Sequence, residues 1–279
     1  MKYFCFLTLI LSTLLIESCK PEKNISLSNL KGRWANKLND FIEINDTSSN
    51  NFVYNYLEIN GIGDDKYLEI KKDTLSFQNR YYFSSNYERL IIERFDFLIM
   101  NLSDSFMVLS PISNYSLKIA KGEKLLHFIR QEYLEDNSIN FEKIVFHTTF
   151  CYGACPTYHL EIDKIGNYKL HKEIVYKNGI RPLVIDSTKI GFYSGKLSDR
   201  LLNELVKSLK TCNLETLKFE DIDCCDGSIF TIIVYYNGKR KYLKSMFPPR
   251  ISQSLTNKLI EICDQSGLTK SINRFVLQD

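Results

Sequence analysis

The chain has 279 residues, with 36 Lys plus Arg against 33 Asp plus Glu and a formal net charge of +3. That balance offers no basic face for nucleic acid, and a hydrophobic share of 44% excludes a disordered chain. Eight cysteines are too few for a miniature disulfide scaffold, yet enough to make the redox compartment a question. The first element follows Lys2: Tyr3 to Ile16 is an almost unbroken apolar run. At ~1.5 Å per residue it spans only ~21 Å, too short to cross a bilayer but fitting the apolar region of a secretory signal. Cleavage is expected after the small Ser18, making residues 1–18 a signal peptide and leaving 279 − 18 = 261 residues. Residues 19–28 are polar, contain Pro21 and read as a tether.

Ile16-Glu17-Ser18-Cys19 resembles the lipobox of bacterial lipoproteins, in which the cysteine becomes the lipidated N-terminus. Glu17 departs from the small residue usual at that place. The other reading is a plain secretory signal followed by a coincidental cysteine. The resemblance implies palmitate-type acyl chains on Cys19, and several chains give firm anchoring where one is marginal. Lys20 stands where an Asp would signal inner-membrane retention, so the resemblance implies an outer-membrane lipoprotein of a Gram-negative bacterium, facing the periplasm or the cell surface.

From 29 to 130 short strands alternate with polar turns. Phe41 to Ile44, Tyr56 to Ile59 and Tyr67 to Ile70 each set bulky apolar residues beside an alternating Glu, as half-buried strands do. Gly61, Gly63, Asp64 and Asp65 are expected to turn the chain between the second and third. Further strands are expected near 74–78, 80–83, 88–94, 97–102, 105–110 and 114–119. The fold class expected is an antiparallel β-barrel or sandwich. Gly32-Arg33-Trp34 resembles the opening motif of lipocalin-like domains. That resemblance implies a barrel with the Trp across its floor, and a small apolar ligand is one expectation for its interior. A small barrel can equally be filled by its own side chains.

The second domain, 140–270, reads as α+β. Strands are expected at 142–149, 159–162, 166–177 and 182–187. Ser198 is placed to cap a helix from Asp199 to Lys210, with Leu201, Leu202, Leu205, Val206 and Leu209 on one face. Ile229–Tyr236 and Lys239–Ser245 form a hairpin through Asn237-Gly238. Pro248-Pro249 break the chain before a last helix near Gln253 to Gln265, with Leu255, Leu259, Ile260 and Cys263 inward. The order β-β-β-α-β-β-α implies two helices packed on one face of an antiparallel sheet.

Cys151-Tyr152-Gly153-Ala154-Cys155-Pro156-Thr157-Tyr158 lies between two of these strands. It resembles the signature Cys-aromatic-Gly-x-Cys-Pro-x-Tyr of an uncharacterised domain family found in bacterial lipoproteins. Gly166, Asp223 and the Asn237-Gly238 hairpin sit where that family's pattern leads. The resemblance names a domain and implies no activity. In an oxidising compartment Cys151 and Cys155 can close a small disulfide loop, with Gly153 easing the backbone and Pro156 fixing the exit. The spacing also resembles that of thioredoxin-like copper chaperones, whose second cysteine opens a helix that lowers thiol pKa. Here Thr157 to Ile162 alternates as a strand. A third reading leaves both thiols unpaired and buried.

Cys212, Cys224, Cys225 and Cys263 complete six cysteines in this domain, which allow 15 pairings. Adjacent Cys224 and Cys225 alternate sides if extended, so each is expected to reach Cys212 or Cys263. Asp221, Asp223, Asp226 and Gly227 resemble a calcium loop in outline. The third Asp is one residue late and Ile232 replaces the bidentate Glu, so an acidic turn is expected. His127, His147, His159 and His171 show no metal-ligand spacing, and no metal or cofactor is expected. Cys151 and His159 have no fixed geometry as nucleophile and base. Together these readings give a membrane-anchored envelope lipoprotein with a non-catalytic binding or structural role. The alternative is a thiol-disulfide oxidoreductase or copper carrier using Cys151 and Cys155.

Overall fold

The computed structural model describes residues 27–45, 55–83, 89–177, 183–220, 224 and 226–277. The expected signal peptide, Cys19, Asp221, Asp223 and Cys225 lie outside these residues.

After a helical turn α1 (Leu27–Leu30), the first unit is a closed antiparallel barrel whose eight strands follow chain order. They are β1 (Gly32–Ala35), β2 (Phe41–Ile44), β3 (Asn55–Ile59), β4 (Ile62–Lys71), β5 (Thr74–Phe83), β6 (Arg89–Leu102), β7 (Phe106–Pro111) and β8 (Leu126–Arg130). Pairing of Trp34 with Arg130 and of Ala35 with Ile129 joins β1 to β8 and closes the ring. Period-two alternation sends Ile42, Leu57, Ile59, Leu75, Phe77, Phe97, Leu109 and Phe128 into one apolar cluster that occupies the interior. Trp34 is fully buried there, its indole N–H donating to the Leu30 carbonyl at 2.7 Å. The Arg130 guanidinium lies 4.4 Å from the Trp34 ring and donates to the carbonyls of Lys31 and Asn29 at 2.7 and 2.8 Å. This one side chain ties the closing strand to the chain entry.

Several expectations for the barrel are corrected. The turn between β3 and β4 uses only Asn60 and Gly61, both at positive φ (53° and 75°), so Gly63, Asp64 and Asp65 are already strand. Two left-handed residues match the twist of a two-residue hairpin. The paired segments expected at 74–78 and 80–83, and at 88–94 and 97–102, are continuous strands, β6 carrying a register shift between Ile99 and Asn101. The segment 114–119 is a helix, α2 (Asn114–Ile119), not a strand. Tyr115, Leu117 and Ile119 alternate, but Ser113 and Ser116 form a reciprocal capping box that starts a helical turn. His127 belongs to β8.

The second unit is a six-stranded antiparallel sheet in the order β12-β11-β10-β9-β13-β14. Its strands are β9 (Phe141–Thr148), β10 (Thr157–Asp163), β11 (Asn167–Ile174), β12 (Gly191–Lys196), β13 (Phe230–Tyr236) and β14 (Lys239–Ser245). Helices α3 (Asp199–Lys210) and α4 (Gln253–Asp264) pack on each other and on one sheet face. Ser198 accepts from Leu201 N and caps α3, as its sequence implies. Asn237 and Gly238 turn the β13–β14 hairpin at positive φ, and Gly166 (φ 84°) turns β10 into β11. A fourth strand, β12, precedes α3. The stretch expected as a strand at 182–187 instead carries one bridge, Tyr176 to Ile185.

The two units share a core. Ala35, Phe41 and Tyr56 of the barrel pack with the apolar residues of the second unit. Arg33 donates to Ser254 at 2.6 Å, Asn213 to the Asn36 carbonyl at 2.7 Å, and Arg250 meets Asp65 at 3.1 Å.

Candidate functional site

Cys151 and Cys155 form a disulfide with their Cα atoms 5.5 Å apart. The loop between β9 and β10 is held from both sides. Thr148 Oγ1 donates to the Pro156 carbonyl and accepts from Tyr158 N–H, both at 2.9 Å. Tyr152 N–H donates to the Asp226 carbonyl at 3.2 Å. Gly153 does not use a positive φ, and a Cβ there would meet only Cys151 Sγ at 3.6 Å, so its expected backbone role is not the one observed. Strand β10, not a helix, follows at Thr157, so no helix N-terminus lies beside Cys155 to stabilise a thiolate. The oxidoreductase and copper-carrier alternative loses the feature that its resemblance required.

Beneath this loop opens a cavity of about 1220 Å³. Its walls come from the signature (Ala154, Pro156, Tyr158), from β11 and the chain after it (Lys172, Val175 to Lys177, Leu183), and from β12 and the segment before it (Lys189, Tyr193). Asp264 to Leu268 and Lys270, at and after the end of α4, complete it. The cavity lies at the end of the helix-covered sheet face. There Tyr158 pairs with Lys172, and Lys172 with Gly191. Gly191 has no side chain, and a Cβ built on it would meet nothing within 4 Å, so the sheet row is left open beside Lys172.

Tyr158 is 2% exposed, and its hydroxyl donates to the Asp264 carboxylate. Burial, and then that hydrogen bond, push the phenol well above its ordinary range. Asp264 ends α4, where the helix dipole disfavours a negative charge, and the bond to Tyr158 offsets this. Lys172 is 5% exposed, with its ammonium 5.2 Å from the Tyr193 ring centroid and 5.9 Å from that of Tyr158. Burial lowers its pKa, and the Asp264 charge opposes this in part. The Tyr193 hydroxyl donates to the Lys189 carbonyl at 2.8 Å. Lys172 was not among the residues singled out from the sequence. The signal is present, because Tyr168, Leu170 and Lys172 share one phase of β11 and a lysine there occupies an apolar position.

Other expected site residues are placed as follows. Cys212 and Cys263 carry free thiols, both fully buried in the second core, so neither forms the disulfide expected of it, and Cys225 lies outside the described residues. Both lie beneath the sheet among leucines, whereas Cys224 is exposed. Burial pushes the Cys212 thiol up to about 12 and raises Cys263 well above its ordinary value. His147, His159 and His171 stand in one row across β9, β10 and β11, on the face away from the helices. His147 and His159 share a hydrogen bond between Nδ1 atoms at 2.9 Å, His159 Nε2 meets Glu173 at 3.0 Å, and His171 stacks on Phe192 at 4.2 Å. The row arises from register between hairpins. Spacing within a single element does not reveal it. Among the described residues no group of three or more His, Cys, Asp or Glu is arranged to hold a metal ion. Cys151, being bonded, offers no thiolate to His159.

A smaller cleft of about 650 Å³ lies between the units, where Tyr56 donates to Glu58 at 3.2 Å beneath the Arg250 guanidinium. Burial raises the Glu58 pKa there, and Tyr56 donating to it opposes the rise.

No curated protein and no solved structure matches the chain. Residues 142–263, from the start of β9 to the last turn of α4 and including the disulfide loop, match a family model described as a domain of unknown function (DUF6438).

Proposed function

We propose that this chain is an exported envelope lipoprotein with a non-catalytic binding role, served by the cavity beneath the Cys151–Cys155 loop. The observation that carries the binding role is the cavity itself, about 1220 Å³ and walled by the signature residues Ala154, Pro156 and Tyr158. Ligand sites are concave, largely pre-formed and furnished with a few convergent polar groups, as this one is. The barrel interior, packed by Trp34, Phe77, Phe97 and Phe128, gives the expected apolar ligand less support than the cavity does.

Anchoring rests on the sequence: the apolar run to Ile16, the lipobox-like Ile16-Glu17-Ser18-Cys19 and the polar tether. The proposed lipid on Cys19 holds the protein to the outer membrane. Among the described residues no helix is long and apolar enough to cross a membrane.

Native mass spectrometry of protein purified from an envelope fraction tests the binding role. A small molecule retained on the wild type and lost from Ala154→Trp supports it. No retained molecule, with no thermal stabilisation by a metabolite panel, rejects it. Palmitate labelling abolished by Cys19→Ser tests the anchor, and labelling that persists in that variant rejects the assignment of Cys19.

A further inference from the structure

The cavity has a charge asymmetry that identifies the kind of molecule it takes. This step rests on reading the cavity as a binding site. Lys172 is the feature that matters. It is 5% exposed and lines the cavity, and among the described residues its ammonium makes no hydrogen bond or ion pair. Its stem lies against apolar walls, while its ammonium faces the cavity with no ion pair within 4 Å among the described residues, so an anion entering the cavity can supply one. Asp264, the acid in the cavity wall, accepts from the Tyr158 hydroxyl and favours the Lys172 ammonium through space without forming an ion pair within 4 Å. Both rings beside the ammonium, Tyr158 and Tyr193, present π faces and no charge. Lys177, Lys189 and Lys270 also line the cavity, against Asp264 as the acid of the lining. Lys189 is engaged with Asp186 at 3.6 Å and Lys270 with the Thr188 carbonyl at 2.9 Å. Lys172 is thus the enclosed lysine of the lining without an ion pair among the described residues, beside the exposed Lys177.

We propose that the cavity binds a small organic anion, with a carboxylate on the Lys172 ammonium and an apolar, flat body against Tyr193 and Leu268. The space, about 1220 Å³, is far larger than an inorganic anion needs. Its wall of Tyr176, Val175, Tyr193 and Leu268 suits a ring better than a bare phosphate. A ligand carboxylate completes the ion pair that the fold leaves unmade. The ligand's ring takes the apolar surface that would otherwise meet water. The charge fixes orientation, and the ring supplies contact area.

The experiment compares two probes of one shape, 2-naphthoate and its uncharged amide 2-naphthamide, by calorimetric titration of the purified protein. The wild type is expected to prefer the carboxylate at least tenfold, since truncating one partner of a buried charge pair typically costs a factor of about 30 or more. Lys172→Met is expected to abolish that preference while leaving amide binding in place, and Lys172→Arg to keep most of it. Equal affinities of the wild type for the two probes, or a preference that survives Lys172→Met, overturn the proposal. If the amide binds and the carboxylate gains nothing, the anion class fails and the binding role stands. If neither probe binds the wild type, this proposal fails, and the native mass spectrometry described above decides the binding role by itself. The wild-type comparison decides the matter even where a variant does not fold.

Discussion

The side-chain amide of Gln131 donates to the Ile251 carbonyl at 2.7 Å, across the boundary between the barrel and the second unit. Gln131 follows the last barrel strand directly, is 4% exposed, and also donates to the Thr211 carbonyl at 3.2 Å. One side chain therefore ties the barrel exit to the end of α3 and the start of α4. Gln131→Ala leaves two buried carbonyls without these donors, and each such loss costs about 1–3 kcal/mol. The variant is expected to be less stable by about 2 kcal/mol or more in urea unfolding. In the wild type, Trp34 fluorescence from the barrel and helical circular dichroism should report one coincident transition. Separate transitions would show that the shared core around Ala35, Phe41 and Tyr56 does not couple the units.

Opening the Cys151–Cys155 ring should be felt mainly through the unfolded chain. A loop this short, with a sequence separation of 4, is worth about 2 kcal/mol by loop-closure entropy. Cys151→Ala/Cys155→Ala is expected to lose about that much while keeping the same denaturant slope. A change in slope would mean that the loop organises more of the fold than its own residues.

Cys212 and Cys263 should be chemically silent in the native protein. Reaction needs the thiolate, and burial pushes the Cys212 thiol up to about 12. Iodoacetamide at neutral pH is expected to leave both unmodified until urea is added. Modification of either thiol in the native state would contradict its burial.

Removing the Lys172 charge should stabilise the unliganded protein. Lys172→Met keeps an unbranched stem, one atom shorter, and removes a charge that partial burial disfavours, so the unfolding free energy is expected to rise by up to about 1 kcal/mol. A lower melting temperature for this variant would show that the ammonium holds the native fold together.

Acid should weaken the second unit through His171. Burial first, and then the neighbouring His159, lower its folded pKa, with Arg274 acting in the same sense and Glu173 against it. Above the ordinary value of about 6.5 the ring is neutral in both states and the contribution is complete. As pH falls below that value the unfolded chain takes up the proton first, so stability declines until the folded ring also protonates. His171→Phe, which keeps the stack on Phe192, should flatten the stability difference between about pH 7.5 and about pH 5.5. An unchanged slope would assign the acid sensitivity to other groups.

Local chemistry made much of this fold legible. The cap at Ser198, the face of α3 and the Asn237-Gly238 turn are short-range features, and they stand where the residues imply. Segment 114–119 misled because apolar alternation and the Ser113–Ser116 capping box compete, and the cap prevails. The cavity was half legible. Its signature wall is a contiguous motif, but Lys172 meets Tyr158 only through the β10–β11 register, and Asp264 arrives from a helix end more than a hundred residues later. The histidine row escaped for the same reason, since cross-strand neighbours are set by hairpin length and not by spacing along one element.

The disulfide has a further consequence for the cavity. Ala154 sits inside the covalent ring and Pro156 directly follows it, and both form the cavity wall. One side of the cavity is thus held by a bond that only oxidation makes. A chain held among reduced thiols keeps that side unfastened, whereas a chain in an oxidising space has it sealed. The binding role proposed for the cavity would therefore depend on where the chain is held, since only an oxidising space closes the ring that carries Ala154.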